Sequence, residues 1–313
     1  MERVIFIFVD GCGVGRPGPE NPFFLAKSRY LPFWQGGLRL PDNTPLAAID
    51  ACLGIPGAPQ SASGQTALFC GASAADIGHR HRNGYPDRSL RAVIYAGNLI
   101  SRLEQKAVRA RFLNAYPAHE ELFTARHVRI EPDGRLWFSS QFPEHFRRMI
   151  SVTSCMLLAS GQKPFGAMEI RSGTALYQDY SNRQLIARGL SLPEFSPARA
   201  AAVIRGASRR PGFTLYEYFQ TDLYAHRKTL EECVALVRDL NTLIGTLLAA
   251  LDKNRDTLIL TSDHGNLEDY PARGHSRNPV PLIAWGKHGA RLRKKIRSIS
   301  DVAPAILELY KNS

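Results

Sequence analysis

The sequence predicts an α/β fold with a mostly parallel sheet sandwiched by helices. Two observations predict it: short, uninterrupted apolar runs rich in β-branched and aromatic residues, and a long segment between them with apolar residues at helical spacing. A short continuous apolar run is typical of a strand that is buried on both faces of a parallel sheet. Strands that alternate with helices predict an α/β sheet.

The first predicted strand is residues 4–9, and four later segments have the same pattern. They are residues 111–115, 214–219, 257–261 and 280–285. Residues 230–251 predict a long amphipathic helix, because their apolar residues repeat at the spacing of one helical face. These apolar residues are Val234, Val237, Leu240, Ile244, Leu247, Leu248 and Leu251.

The middle of the chain breaks the alternation of strands and helices. It is polar, rich in arginine and rich in turn residues, as in the segment Pro132-Asp133-Gly134. We therefore predict a discontinuous core of residues 1–117 and 206–313 and a small inserted cap, residues 118–205, that contacts substrate. The length of 313 residues fits about two domains or one enlarged α/β domain.

The composition is that of a folded globular protein, with 44% hydrophobic and 22% charged residues. It argues against a disordered, fibrous or coiled-coil chain. Forty Lys and Arg against 28 Asp and Glu give a net charge of +12, which favours anionic partners. The basic residues are scattered and their densest cluster, residues 291–297, is short, so we favour a solvated basic surface over nucleic-acid binding.

The cysteines and the amino-terminal run bear on the compartment. The five cysteines are odd in number and have no CxxC spacing, so we expect neither a disulfide framework nor a structural zinc knuckle. The apolar run at residues 4–9 is too short for a signal-peptide core or a membrane span. We expect a cytoplasmic protein without membrane association, and the pattern indicates no particular oligomeric state.

Carboxylate and imidazole side chains follow three of the predicted strands. Asp10 ends the first strand, Asp222 and His226 follow residues 214–219 at helical i, i+4 spacing, and Asp263 and His264 follow residues 257–261. Ligands in open α/β sheets bind outside the carboxyl ends of the strands. Carboxylate oxygens and imidazole nitrogens together are ligands for divalent cations. Taken singly, each aspartate also fits a turn cap and each histidine a surface position.

Two further segments carry polar groups. His275 lies in a loop that enters the strand at 280–285. Residues 60–68, QSASGQTAL, predict a helix amino-terminus, where free backbone N–H groups and the helix dipole favour a phosphate. A serine at that point can be a nucleophile when a metal lowers its pKa. A plain helix cap is the alternative, and Ser61 and Ser63 both fit it.

The order of these segments resembles the alkaline phosphatase superfamily, specifically its branch of cofactor-independent phosphoglycerate mutases and phosphopentomutases. The segments are a strand followed by Asp, then S-x-x-G, D-x-x-x-H, S-D-H-G-N and H-x-x-N-P-V-P, and the resemblance covers residues 1–90 and 213–313. It implies an alkaline phosphatase-like core with two divalent metal ions at the carboxyl edge of the sheet.

The resemblance also implies a role for each matching residue. Asp10, Asp263, His264 and Ser61 match the ligands of one ion, and Asp222, His226 and His275 match those of the other. Ser61 rather than Ser63 matches the nucleophile, because Gly64 fixes the register of S-x-x-G. Such ligands suit Mn²⁺ or Zn²⁺. Gln65 departs from the pattern, since the mutases have His there.

The function implied is a two-metal phosphomonoester hydrolase or phosphotransferase that acts on a small phosphorylated substrate through a phosphoseryl intermediate on Ser61. A phosphomutase of the phosphoglycerate mutase type is an alternative, although the inserted region is smaller than in those mutases. The net positive charge supports a second alternative, a phosphodiesterase or nucleotide hydrolase. A metal-binding scaffold without activity is the third.

Overall fold

A mostly parallel sheet lies at the centre of the fold in the computed structural model, which describes residues 2–117, 120–272 and 274–311. Within these residues the sheet has six strands and a separate hairpin has two. The strands are β1 (Arg3–Val9), β2 (Ala47–Ile49), β3 (Ala110–Phe112), β4 (Val128–Ile130), β5 (Leu136–Phe138), β6 (Gly212–Tyr218), β7 (Asp256–Thr261) and β8 (Val280–Gly286).

Helices cover both faces of this sheet. Those in the described residues are α1 (Pro22–Leu25), α2 (Ser61–Cys70), α3 (Arg88–Ala96), α4 (Leu99–Glu104), α5 (Val152–Ala159), α6 (Ala167–Arg171), α7 (Arg183–Ala187), α8 (Pro197–Ala207), α9 (Gln220–Arg227), α10 (Leu230–Ala250), α11 (Gly289–Lys295) and α12 (Val302–Glu308). Short 3₁₀ helices span Glu144–Phe146, Tyr270–Ala272 and Ile299–Asp301.

The strand order is β2-β8-β7-β1-β6-β3. The first strand, β1, is parallel to both of its neighbours, so that Ile5 lies opposite Thr214 of β6 and Leu258 of β7. Strand β8 is antiparallel to β7. The connection between them, residues 262–279, has no α-helix among its described residues to carry the chain across a sheet face and back as a parallel crossover does. The predicted α/β fold with a mostly parallel sheet is confirmed.

The two faces of β1 belong to two different hydrophobic clusters. Val4, Phe6 and Phe8 pack with α2, α3, α4, α5 and α12 in one cluster. Ile5, Ile7 and Val9 pack with α8 and α10 in the other. Because successive side chains of a strand point to opposite faces, an uninterrupted apolar run is what a sheet covered on both faces requires.

The predicted insert contributes to both clusters. Helix α5 packs its buried residues into the first cluster, and α8 packs against α10 in the second. Ala118, the first residue of the predicted insert, and Met1 and Ser313, the outer ends of the predicted core, lie outside the described residues. The division into a core and a cap stays a prediction.

The predicted long helix is α10, which has 21 residues. It begins with a capping box, in which the Thr229 side chain accepts a hydrogen bond from Glu232 N and the Glu232 side chain accepts one from Thr229 N. By length and composition alone it is apolar enough to cross a membrane. Its buried residues, including Leu240 and Ile244, lie in the second cluster, so packing within the fold accounts for its apolar face.

All five cysteines are free thiols, as their number and spacing predict. Four of them are buried and Cys52 is partly buried. The fold therefore contains no disulfide among these five residues.

Candidate active site and metal centre

The polar residues that follow β1, β6 and β7 meet at one edge of the sheet because these three strands are adjacent and parallel. Asp10 follows β1 directly, and its backbone N–H donates to Tyr218 O at 3.0 Å. Thr221, in the first turn of α9, donates its hydroxyl to Asp10 O at 2.5 Å. These bonds join the end of β1 to the start of α9, which carries Asp222 and His226.

Two glycines allow the chain to approach these groups closely. Gly11 has a φ of +67°, and a Cβ at this position would lie 2.7 Å from Asp222 Oδ1. A Cβ on Gly64, in the first turns of α2, would lie 2.8 Å from Asp263 O. Glycine is therefore required at both positions, at Gly11 for conformation and space and at Gly64 for space.

One compact group of donor atoms comes from Asp10, Asp263 and His264, whose ligand atoms lie within 4.8 Å of one another. His264 Nε2 is 3.3 Å from Asp10 Oδ1 and 3.5 Å from Asp263 Oδ2. The Gln65 amide donates to both carboxylates, at 3.2 Å to Asp10 and 3.1 Å to Asp263. Asp10 Oδ1 is buried and accepts no hydrogen bond from the described residues.

A second compact group comes from Asp222, His264 and His275, again with ligand atoms within 4.8 Å. His275 Nε2 lies 3.6 Å from Asp222 Oδ1, and its ring stacks on that of His264 with centroids 3.7 Å apart. His275 Nδ1 is 3.0 Å from Pro59 O. With the proton on Nδ1, this hydrogen bond leaves Nε2 facing the site as an acceptor.

His226 stands beside the second group. Its Nε2 is 3.5 Å from Asp222 Oδ1, one turn earlier on α9. The Asn266 amide nitrogen lies between them, donating to Asp222 Oδ1 at 2.7 Å and lying 3.1 Å from His226 Nε2. The structure thus brings His226 to the same edge, but His264 is the residue that completes the compact group with Asp222 and His275.

The electrostatics of the site favour cations. Burial and the neighbouring Asp263 raise the pKa of Asp10 well above its ordinary value. Burial by itself would lower the pKa of His264, but Asp263 and Asp10 outweigh it and raise that pKa to about 10. Two buried carboxylates that face each other repel, and a bound divalent cation relieves that repulsion. The donor set and the buried Asp10 Oδ1, which accepts no hydrogen bond from the described residues, therefore fit divalent cations.

Ser61 is the first residue of α2, and its hydroxyl lies 3.0 Å from His264 Nε2. The preceding residue, Gln60, makes no side-chain cap to the helix. Ser63 is buried and occupied elsewhere, since its hydroxyl donates to Gln60 O at 3.1 Å and accepts from Arg82 N at 3.0 Å. Of the two serines that the sequence offers, Ser61 is therefore the one beside the metal-ligand candidates.

Sequence reasoning missed Glu268, which joins the loops around the site. Its carboxylate accepts from Gly13 N at 2.7 Å, Asn266 N at 2.8 Å and Asn278 Nδ2 at 3.0 Å, and from the hydroxyl of Ser276. The side chain is buried, so each of these bonds replaces a lost contact with water. The adjacent Asp269 is also acidic, so the loop sequence carries no local signal that singles out Glu268.

Sequence reasoning also missed Glu217, a buried carboxyl group in β6. It accepts hydrogen bonds from Thr153 Oγ1 at 2.9 Å and Tyr116 OH at 3.1 Å. Burial raises its pKa to about 7, although the bonds from Thr153 and Tyr116 oppose the shift. A single carboxylate within a predicted strand that is otherwise uncharged was the signal for it.

The Glu217 shift predicts a pH-dependent stability. The folded protein keeps this proton to a higher pH than the unfolded chain, so the free energy of unfolding falls as the pH rises from 4.5 to about 7. We expect this fall to be smaller in Glu217→Gln by about 3 kcal/mol. Urea unfolding at pH 4.5, 6 and 7.5 measures it. Equal pH dependence in the two proteins would contradict the assignment.

Comparison with known proteins finds a family match for the part of the chain that carries most of the candidate ligands. A sequence model of the Metalloenzyme superfamily matches residues 198–312, which include five of the candidate ligands. The 2,3-bisphosphoglycerate-independent phosphoglycerate mutases of Thermomicrobium roseum and Pseudomonas putida are each 30% identical, over 131 and 127 residues. Each match covers 38% of this chain and 24% of the mutase, so the matched segment spans about a quarter of those relatives.

Solved structures resemble the whole chain. The alkaline phosphatase from the Antarctic bacterium TAB5 has a TM-score of 0.55 at 16% identity and covers 99% of this chain and 98% of its own. The PH0037 protein from Pyrococcus horikoshii has a TM-score of 0.53 at 12% identity, and the match covers 100% of this chain and 98% of the PH0037 protein. A variant of the TAB5 enzyme with Mg bound has a TM-score of 0.52 at 14% identity, and the match covers 99% of this chain and 97% of the variant. Residues 198–312 therefore match the Metalloenzyme superfamily, and the chain as a whole has an alkaline phosphatase-like fold.

Proposed function

We propose that this protein is a metal-dependent phosphomonoester hydrolase or phosphotransferase with Ser61 as its nucleophile and a small phosphorylated substrate. One observation carries the proposal: the Ser61 hydroxyl, at the amino-terminus of α2, lies 3.0 Å from His264, the residue shared by both groups of donor atoms. Ser61, Asp10 and Asp222 also line the same open cavity, so a substrate can reach them.

We assign two cations to this site, with Mn²⁺ or Zn²⁺ as the candidates. Asp10, Asp263, His264 and Ser61 would hold one, and Asp222, His226 and His275 the other. When bound, the cations supply Lewis-acid stabilisation of charge on the phosphoryl oxygens. The residues that surround them do the positioning: Gln65 and Asn266 hold the carboxylates, and Pro59 O fixes the ring of His275.

The reaction has two displacements at phosphorus. In the first, Ser61 Oγ forms a bond to phosphorus while the bond from phosphorus to the alcohol oxygen breaks, and the proton of the Ser61 hydroxyl goes to the leaving alcohol. In the second, the oxygen of water forms a bond to phosphorus, the bond from phosphorus to Ser61 Oγ breaks, a proton of the water returns to Ser61 Oγ, and inorganic phosphate leaves. The amino-terminus of α2, which has no side-chain cap from Gln60, favours the negative charge of the phosphoryl group.

A phosphomutase is the second candidate, because the matched relatives are phosphoglycerate mutases. In a mutase, a hydroxyl group of the substrate takes the place of water in the second displacement. This chain differs from those mutases at Gln65, where the mutases have His. The amide of Gln65 donates hydrogen bonds to Asp10 and Asp263. We therefore place hydrolysis first.

The test combines elemental analysis of the purified protein with turnover of p-nitrophenyl phosphate and bis(p-nitrophenyl) phosphate in Mn²⁺, Zn²⁺ and Mg²⁺. Two ions per chain with turnover of the monoester is the expected result. Preference for the diester, with a steep salt dependence, would favour a phosphodiesterase. Two ions per chain, with phosphoryl transfer between hydroxyl groups and no release of phosphate, would favour a mutase. Bound metal without any turnover would favour a scaffold. Absence of bound metal would refute the ligand assignment.

A further inference from the structure

A cavity of about 650 Å³ opens beside Ser61. Its floor includes Asp10, Ser61, Asp222 and His275, so it is continuous with the candidate metal centre. Cavities of this size hold whole small-molecule ligands rather than a phosphate alone. The chemistry of the rest of the wall therefore indicates which alcohol part of the substrate, beyond the phosphoryl group, the cavity can bind.

Aromatic and aliphatic side chains make up most of that wall. They include Phe123, Phe146, Met149, Leu157 and Phe219, together with Tyr85. Tyr85 is 46% exposed and Met149 is 50% exposed. Few other large apolar side chains in the described residues are as exposed to solvent. Exposed apolar groups that converge on one cavity mark a ligand site more strongly than scattered ones.

Ser151 and Glu217, two of the polar residues of the wall, already have partners in the fold. The Ser151 hydroxyl caps α5 by accepting from Ser154 N and donates to Ser154 Oγ at 3.0 Å. Glu217 accepts from Thr153 and Tyr116. Hydroxyl groups of a substrate would find these two residues already engaged. Arg188 and Arg227 also line the cavity and are exposed, which favours the approach of an anionic ester.

We propose that the alcohol part of the substrate is an apolar group of aromatic size, which binds against Tyr85, Phe146 and Met149 while its phosphate lies at Ser61. The inference rests on the proposed function, and it narrows the substrate class to phosphate monoesters of apolar or aryl-bearing alcohols. Small polar esters such as phosphoglycerate would leave this wall in contact with water.

The first measurement compares 2-phenylethyl phosphate with ethyl phosphate. Both release a primary alcohol of similar acidity, so the ratio of their kcat/KM values reports binding of the phenyl group. We expect a ratio of about 10 to 100 in favour of the phenyl ester, the value of burying one aromatic side chain. The double variant Tyr85→Ser/Met149→Gln should lower that ratio about tenfold.

Matched controls lie elsewhere on the surface. Tyr95 is 37% exposed and Met168 is 74% exposed, and neither lines the cavity. The double variant Tyr95→Ser/Met168→Gln makes the same chemical changes and should leave the ratio as it is in the unmodified protein. A ratio near one, or a ratio that the cavity variant leaves unchanged, would overturn the inference while hydrolysis itself stands.

A binding measurement separates this inference from the proposed function. Calorimetry with 3-phenylpropylphosphonate and propylphosphonate, in which a CH₂ group replaces the ester oxygen, needs no turnover. If neither ester is hydrolysed but the phenyl compound binds more tightly and the cavity variant loses that difference, the apolar pocket is supported and the hydrolase is refuted. Equal binding of the two phosphonates without hydrolysis would refute both.

Discussion

Replacement of Ser61 by alanine is expected to lower kcat for a phosphate monoester by about 10⁴-fold or more, the loss typical of removing a covalent nucleophile. The fold should persist, because Ser61 is partly exposed and its one side-chain hydrogen bond is to His264. Steady-state kinetics with saturating Mn²⁺ measures the loss. Rapid quenching with ³²P-labelled substrate should label the unmodified protein and leave Ser61→Ala unlabelled.

Ser63→Ala is the matched control for this experiment. The hydroxyl of Ser63 is bound to Gln60 O and Arg82 N and takes no part in the site. Its removal should lower the free energy of unfolding by about 1–2 kcal/mol and leave kcat within a few fold. A folded Ser61→Ala protein that retains its turnover would refute the nucleophile assignment, and so would selective loss of turnover in Ser63→Ala.

Replacement of Asp263 by asparagine is expected to abolish both turnover and stabilisation by metal. Asp263 is fully buried and accepts from the Gln65 amide at 3.1 Å. A cation at 100 times its Kd stabilises a folded protein by about 2.7 kcal/mol, and this gain should vanish with the carboxylate. The metal-free variant loses the repulsion between Asp263 and Asp10 but also the attraction between Asp263 and His264, so its stability should change little.

Calorimetric unfolding with and without Mn²⁺ distinguishes these effects. Asp269→Asn, in the same loop but outside both donor groups, is the control and should keep the full rise in Tm on adding Mn²⁺. A normal rise in Tm for Asp263→Asn would show that the cation binds elsewhere. A large loss of metal-free stability would show that Asp263 acts as a structural hydrogen-bond acceptor rather than as a ligand.

The elements that the sequence predicted well are those whose environment is uniform along the segment. Strands β1, β6 and β7 are buried on both faces, so each is mostly apolar, and α10 repeats one apolar face over its whole length. The short strands β2, β4 and β5 have three residues each and carry no such pattern. The direction of β8 was not predictable from its composition, since it depends on the connection from β7.

The residues of the candidate site also fall into those that the sequence could predict and those that it could not. The places of Asp10, Asp222 and Asp263 at one edge of the sheet were predictable because each lies within four residues of the end of a recognisable strand. Asn266 and Glu268 were not, because their roles depend on which loops pack around them. For the same reason the partnership between Glu217 and Thr153 joins residues 64 positions apart, and the chain between them gives no local sign of it.

The central place of β1 in the sheet has a consequence for synthesis of the protein. Its two neighbours, β6 and β7, begin more than 200 residues later in the chain, at Gly212 and Asp256. As the ribosome releases the chain, the most apolar strand emerges first and has to wait for its partners, a period in which it is exposed to aggregation. Metal binding at the proposed site, which needs residues from the ends of β1, β6 and β7, would then require that all three strands have been made and paired.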